Sequence, residues 1–78
     1  MYTVGIDIGS VSINCVVVDK DGDLTYEAPY QRHFGRFVPE TLETLRSIYE
    51  RFGEEHIQSV AFTGNHAKII ASRLGALY

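Results

Sequence analysis

The chain has one cysteine, no tryptophan, two prolines and no run of like charge among its 78 residues. Cys15 alone excludes an internal disulfide, and it excludes any metal or iron–sulfur site completed within one chain; a reducing, cytoplasmic setting is the simplest fit. The N-terminal stretch MYTVGIDIGS lacks a basic segment followed by an apolar one, and no window approaches the roughly 18 apolar residues of a membrane span. Neither export nor membrane spanning is therefore expected. Basic residues are in deficit, 7 Lys and Arg against 10 Asp and Glu, for a formal charge of -3. A nucleic-acid binder would show the opposite balance on one face.

What is present is an ordinary globular composition, 45% hydrophobic and 22% charged, which favours neither disorder nor a coiled coil. A chain of this length makes one domain and buries only roughly 60% of its unfolded surface. Val4, Ile6 and Ile8 alternate with Gly5 and Asp7, so residues 3–8 read as a short strand. Residues 12–19 pass from alternation into the β-branched run CVVV, the pattern of a strand covered on both faces. Asp21-Gly22 then signals a hairpin, because tight primed turns need residues that tolerate positive φ. A third strand over residues 24–33 is expected to pair antiparallel with the second. Leu42, Leu45, Ile48, Tyr49 and Phe52 recur every three or four positions, which predicts an amphipathic helix over 39–52, opened by Pro39 and stopped by Gly53. Residues 57–63 read as a fourth strand. Gly64-Asn65 opens a second helix over 66–74, ended by Gly75.

The order β-β-β-α-β-α implies a mixed sheet with helices packed on it and the first strand central, between the second and the fourth. There are no repeats and no linker compositions. The end at LGALY, soon after a helix, reads as a truncated domain.

Asp7, Gly9, Ser10 and Ser12 interrupt the most apolar region of the chain. A carboxylate at the end of a central strand, followed by Gly-Ser in the turn, suits metal-complexed phosphate. Gly9 lets the backbone approach phosphate oxygens, successive N–H groups make an anion-binding concavity, and the hydroxyls of Ser10 and Ser12 donate. Asp7 would hold Mg²⁺, directly or through its waters, since two anions at short range repel. A motif this short also reads as a plain β-turn in which Asp7 caps local N–H groups.

In its β-β-β-α-β-α context the stretch resembles the first subdomain of the actin-like (ASKHA) ATPase superfamily, which has a ribonuclease H-like fold. More closely, GIDIGSVSINCVVVDKDGDL together with FTGNHAKIIASRLG is similar to the ATPases that activate 2-hydroxyacyl-CoA dehydratases and drive benzoyl-CoA reductases. The Val-Ser variant of the loop resembles the large fused members of that family. The resemblance covers nearly all of the chain. It implies that Asp7 is the metal-associated aspartate, that Gly9 and Ser10 belong to the first phosphate loop, and that Thr63-Gly64 lies beside the nucleotide cleft. It further implies ATP and Mg²⁺ as ligands of the parent protein, a dehydratase or reductase of CoA esters as partner, and a four-iron four-sulfur cluster between two subunits. The cluster's cysteines lie well downstream in the family, and Cys15 does not match them. The chain departs from the family pattern at Val11, Ser12, Ile13 and Asn14, where threonines and a lysine are usual. It departs again at TGNHA, which lacks a second glycine and an arginine.

Two functions follow as expectations. The first is the N-terminal, nucleotide-phosphate-binding part of an ATPase, without a final strand and helix and without the second lobe, hence inactive in isolation. The second is a non-catalytic binding or scaffold module with the same fold and a degenerate nucleotide site. Either way the fourth strand would be an unprotected apolar edge, so self-association is expected. Other constellations fare worse. Asp19, Asp21 and Asp23 mimic an EF-hand opening, but Leu24 stands where glycine is required, so they read as hairpin residues. His33, His56 and His66 have no partners at zinc-ligand spacing, and only His66 falls beside the proposed cleft. Tyr26, Tyr30, Phe34 and Phe37 are assigned to sheet packing or an interface.

Overall fold

A computed structural model describes residues 1–64 and 67–74. It is a small α/β domain in which a mixed sheet of five strands carries two helices. Strand β1 (Tyr2–Ile8) and β2 (Ser12–Val18) form a hairpin. Strands β3 (Leu24–Glu27) and β4 (Gln31–Arg32) follow, then helix α1 (Phe37–Phe52), a single 3-10 turn (Glu54–His56), β5 (Ile57–Gly64) and helix α2 (Ala67–Leu74). The order across the sheet is β3-β2-β1-β5, with β4 also paired to β2. β1 is central as expected, antiparallel to β2 and parallel to β5.

The expected third strand divides in two. Pro29 has no N–H to offer a ladder and restricts Ala28 before it, so pairing to β2 lapses after Ala28 donates to the Cys15 carbonyl at 2.9 Å. It resumes where Gln31 faces Ile13 and Arg32 faces Ser12. The aspartates at the preceding turn do close a hairpin: one Asp19 carboxylate oxygen accepts the N–H groups of Asp21 and Asp23 at 2.9 and 3.0 Å.

Register sorts the side chains into two faces. Val4, Val17 and Val60 form one row, Ile6, Cys15 and Phe62 the next, Ile8 and Ile13 the third. All but the half-buried Val60 are fully buried, in one cluster with Leu45 and Ile48 of α1 and Ala67 and Ile70 of α2. On the opposite face the rows are Thr3–Val18–Ser59, Gly5–Val16–Ala61 and Asp7–Asn14–Thr63, and every residue is half-buried or exposed. The expectation that β2 is covered on both faces is therefore corrected. CVVV is continuous in sequence, but Val16 and Val18 face away from the helices.

Helix α1 begins two residues before Pro39, which lies in the first turn where its missing N–H leaves no bond unmade. Its buried stripe is Thr41, Thr44, Leu45 and Ile48, rotated from the expected one, so Leu42 is exposed and two threonines face the sheet. Gly53 ends the helix, donating to the Tyr49 carbonyl at 2.8 Å. Of the four singled-out aromatics, Tyr26 packs edge-on to Phe52 and Phe37 edge-on to His33, while Tyr30 and Phe34 are exposed. Among the described residues, no helix is long and apolar enough to cross a membrane.

Candidate functional site

Two parallel neighbours, β1 and β5, end side by side, with Asp7 opposite Thr63 and Ile8 opposite Gly64. Ligands of open α/β sheets bind outside such carboxyl ends, where successive strands leave in different directions. β1 here turns back into β2, and β5 runs on towards α2. The period of two puts Asp7 and Thr63 on the open face, where both are exposed. The Thr63 hydroxyl donates to one Asp7 carboxylate oxygen at 2.9 Å. Asn14 lies beside Asp7 on the other flank, and Ser12, two residues before Asn14, shares its face. The structure thus joins Asp7 directly to Thr63 and sets Ser12 on the same face of the neighbouring strand.

Gly9, Ser10 and Val11 make the turn from β1 to β2. The Gly9 N–H donates to the Ser12 carbonyl at 2.8 Å and closes it, while Ser10 and Val11 are exposed at the tip. Gly9 itself has no left-handed backbone, and a Cβ there would sit 3.6 Å from the Ser12 carbonyl oxygen, an ordinary contact. Its small size leaves room above the turn and is not required by the fold. Gly64 is the reverse case. Its φ is +105°, and an added Cβ would fall 2.2 Å from the Ile8 carbonyl oxygen and 2.6 Å from the carbonyl carbon. Only glycine lets the end of β5 lie against the end of β1, so Gly64 builds the site by permitting that approach.

Among the described residues no group of three His, Cys, Asp or Glu side chains converges, and no cation pairs with Asp7. A single carboxylate with one neutral donor suits Mg²⁺, which keeps most of its waters and takes its remaining ligands from phosphate. The same residues do not suit an iron–sulfur cluster. Cys15 is buried in the core, and burial pushes its thiol up to about 11, which disfavours the thiolate that clusters require.

One residue at the site is not where the sequence suggests. His66 lies outside the described residues, whereas His33, expected to be remote, is buried against the turn. Its Nε2 is 2.9 Å from the Gly9 carbonyl oxygen. The pairing of β4 with β2, which resumes only after the Pro29 break, puts it there, and no local pattern in the sequence signals that pairing. Comparisons of the chain with protein-family models, with curated proteins and with solved structures found no match.

Proposed function

We propose that this chain is the N-terminal, nucleotide-phosphate-binding part of an actin-like ATPase that activates a 2-hydroxyacyl-CoA dehydratase, or a related CoA-ester reductase, by ATP-driven electron transfer. The observation that supports it most is the hydrogen-bonded Asp7–Thr63 pair at the ends of two parallel strands, flanking an exposed Gly-Ser turn. The course β-β-β-β-α-β-α, with the expected third strand in two pieces and β1 central, suits a ribonuclease H-like first subdomain. In this reading the Thr63 hydroxyl fixes the Asp7 carboxylate, whose free oxygen takes Mg²⁺ or its waters. The turn's N–H groups other than that of Gly9, which closes the turn, and the Ser10 and Ser12 hydroxyls receive phosphate oxygens, and Gly64 keeps the two strand ends adjacent. Mg²⁺, when bound, neutralises phosphate charge. Catalysis is then a matter of positioning and electrostatics, with the general base expected on the opposing lobe. The family's four-iron four-sulfur cluster would take its ligands outside this chain, and the setting would be cytoplasmic.

A second reading, a non-catalytic scaffold module of the same fold, is favoured by Val11 and Asn14, which face solvent at positions where the family has donors. Calorimetric titration of Mg·ATP into the intact protein decides between the two. Mg²⁺-dependent binding that Asp7→Ala abolishes is the expected result, and an intact protein that binds no Mg·ATP refutes the ATPase reading. The present chain alone is expected to show no turnover. Self-association through β5 belongs to the same proposal, since β5 forms one edge of the sheet among the described strands.

A further inference from the structure

The turn between β1 and β2 is held from behind by one residue. His33 makes two contacts with it: the Nε2 contact to the Gly9 carbonyl at 2.9 Å, and a bond from its backbone N–H to the Val11 carbonyl at 3.0 Å. Its own orientation is also determined. The Gly35 N–H donates to His33 Nδ1 at 3.0 Å, so Nδ1 must be the unprotonated nitrogen and Nε2 the one that carries the hydrogen given to Gly9. That N–H is delivered by a tight turn in which Arg36 donates to the His33 carbonyl at 2.7 Å. Both central residues, Phe34 and Gly35, have positive φ, +51° and +80°. A bulky residue in that region is strained, and the strain is retained at the point that fixes the imidazole. The ring lies edge-on to Phe37. Gln31, just before it on β4, is tied to α1 through its amide donating to Glu40 at 2.5 Å and accepting from Thr44 at 3.2 Å.

In a trans peptide the C=O and the following N–H point in opposite directions, and this chain has no cis peptide among its described residues. Drawing the Gly9 carbonyl onto the buried His33 ring therefore turns the Ser10 N–H the other way, out of the interior, whereas the Val11 carbonyl is held by a main-chain ladder bond beside the Ser12–Arg32 pair and does not depend on the imidazole. We infer that His33 is a positioning residue for anion recognition: by holding the Gly9 carbonyl inward its imidazole presents the Ser10 amide, at the exposed tip of the turn, preformed for a phosphate oxygen. The inference rests on the phosphate-binding reading above for its ligand, and on hydrogen bonds alone for the orientation of the turn.

The test uses the full chain, labelled with ¹⁵N, and two variants. His33→Gln keeps an amide donor where Nε2 lies, and His33→Leu keeps bulk without one. The unmodified protein is expected to show the Nε2–H tautomer in long-range ¹H–¹⁵N spectra. The Ser10 amide resonance should move in His33→Leu and return towards its original position in His33→Gln, while the Ser12 amide, whose peptide is held by a main-chain bond, should move less. With Mg·ATP as the probe in the intact protein, His33→Leu should weaken binding by about tenfold, as expected on losing one well-placed bond to a charged group, and His33→Gln should largely restore it. An Nδ1–H tautomer, or a Ser10 amide indifferent to His33→Leu, overturns the inference whether or not nucleotide binds. Unaltered Mg·ATP affinity in a folded His33→Leu overturns it too, and leaves the ATPase reading standing. Absence of binding to the unmodified protein defeats that reading instead, while the amide resonances still decide the role of His33. If His33→Leu does not fold, the tautomer decides alone.

Discussion

Replacing Gly64 with alanine should be among the most damaging single changes available to this chain, although it adds only one methyl group at a half-buried position. Two costs combine. At φ +105° an L-residue is in a region that only glycine occupies freely, and left-handed backbone costs a Cβ-bearing residue about 1–2 kcal/mol. The new Cβ would also lie 2.2 Å from the Ile8 oxygen and 2.8 Å from the Ile8 nitrogen. These are backbone atoms that cannot rotate aside, so the end of β5 must move off β1 by roughly an ångström, with loss of packing of the order seen for overpacked cores, about 1–3 kcal/mol. The sum, about 2–5 kcal/mol, compares with a total of about 4–12 kcal/mol for a domain of this length. For this size each kcal/mol shifts Tm by about 4–8 °C, so Gly64→Ala should lower Tm by at least about 8 °C. Circular dichroism melts measure it, and Gly9→Ala is the control. There the methyl group meets nothing closer than 3.6 Å, so Tm should stay within about 3 °C, and any loss of phosphate binding in Gly9→Ala then reports on the site alone. A Gly64→Ala protein that melts with the unmodified one would refute the close approach of the two strand ends.

The Cys15 thiol, pushed up to about 11 by burial, should resist a thiol reagent at pH 8 in the native protein and react at once after denaturation; rapid native labelling would place it outside the core. Because the unfolded thiol ionises near 9.0 while the folded one holds its proton, the folded state binds more protons in that window. Stability should then fall as pH rises from about 9 towards 11, and Cys15→Ala should remove that component of the slope in urea titrations. The unpaired side of β5 should make the chain associate, which sedimentation at increasing concentration measures; a monomer at the highest concentration counts against strand pairing.

The alternation of Val4, Ile6 and Ile8, the Asp21-Gly22 turn and the spacing of Leu45, Ile48 and Phe52 were sufficient to order the sheet and place α1, since each is a local period that one element alone can express. Burial of both faces of β2 was misread because CVVV records only that its residues are β-branched; whether a helix covers Val16 depends on where α1 and α2 pack. The same limit applies to α1, where Thr41 and Thr44 look like surface residues until the sheet beneath them is known. Asp7 and Thr63 were each legible as strand-end residues, 56 positions apart, but their hydrogen bond needs the parallel register of β1 and β5.

His33 marks where local reading stops. Neither its neighbours nor its spacing to the other histidines carries a signal, because its role depends on three non-local facts: the return of the chain to β2 after Pro29, the reversal through Phe34 and Gly35, and the carbonyl left available at Gly9. Asp7 and Thr63 are exposed and Ser12 half-buried on the open face, whereas the residue that orients the turn is 2% exposed and lies on the interior side. A buried polar group costs free energy unless its bonds are made. Here both ring nitrogens are engaged, so the turn cannot swing outward without abandoning the Nε2–H bond in a site closed to water. The arrangement therefore favours one conformation of the Gly9–Ser12 turn before any ligand arrives. A turn so held loses less entropy on binding than a mobile one, and on the proposed phosphate-binding reading that advantage would partly offset the donors missing at Val11 and Asn14.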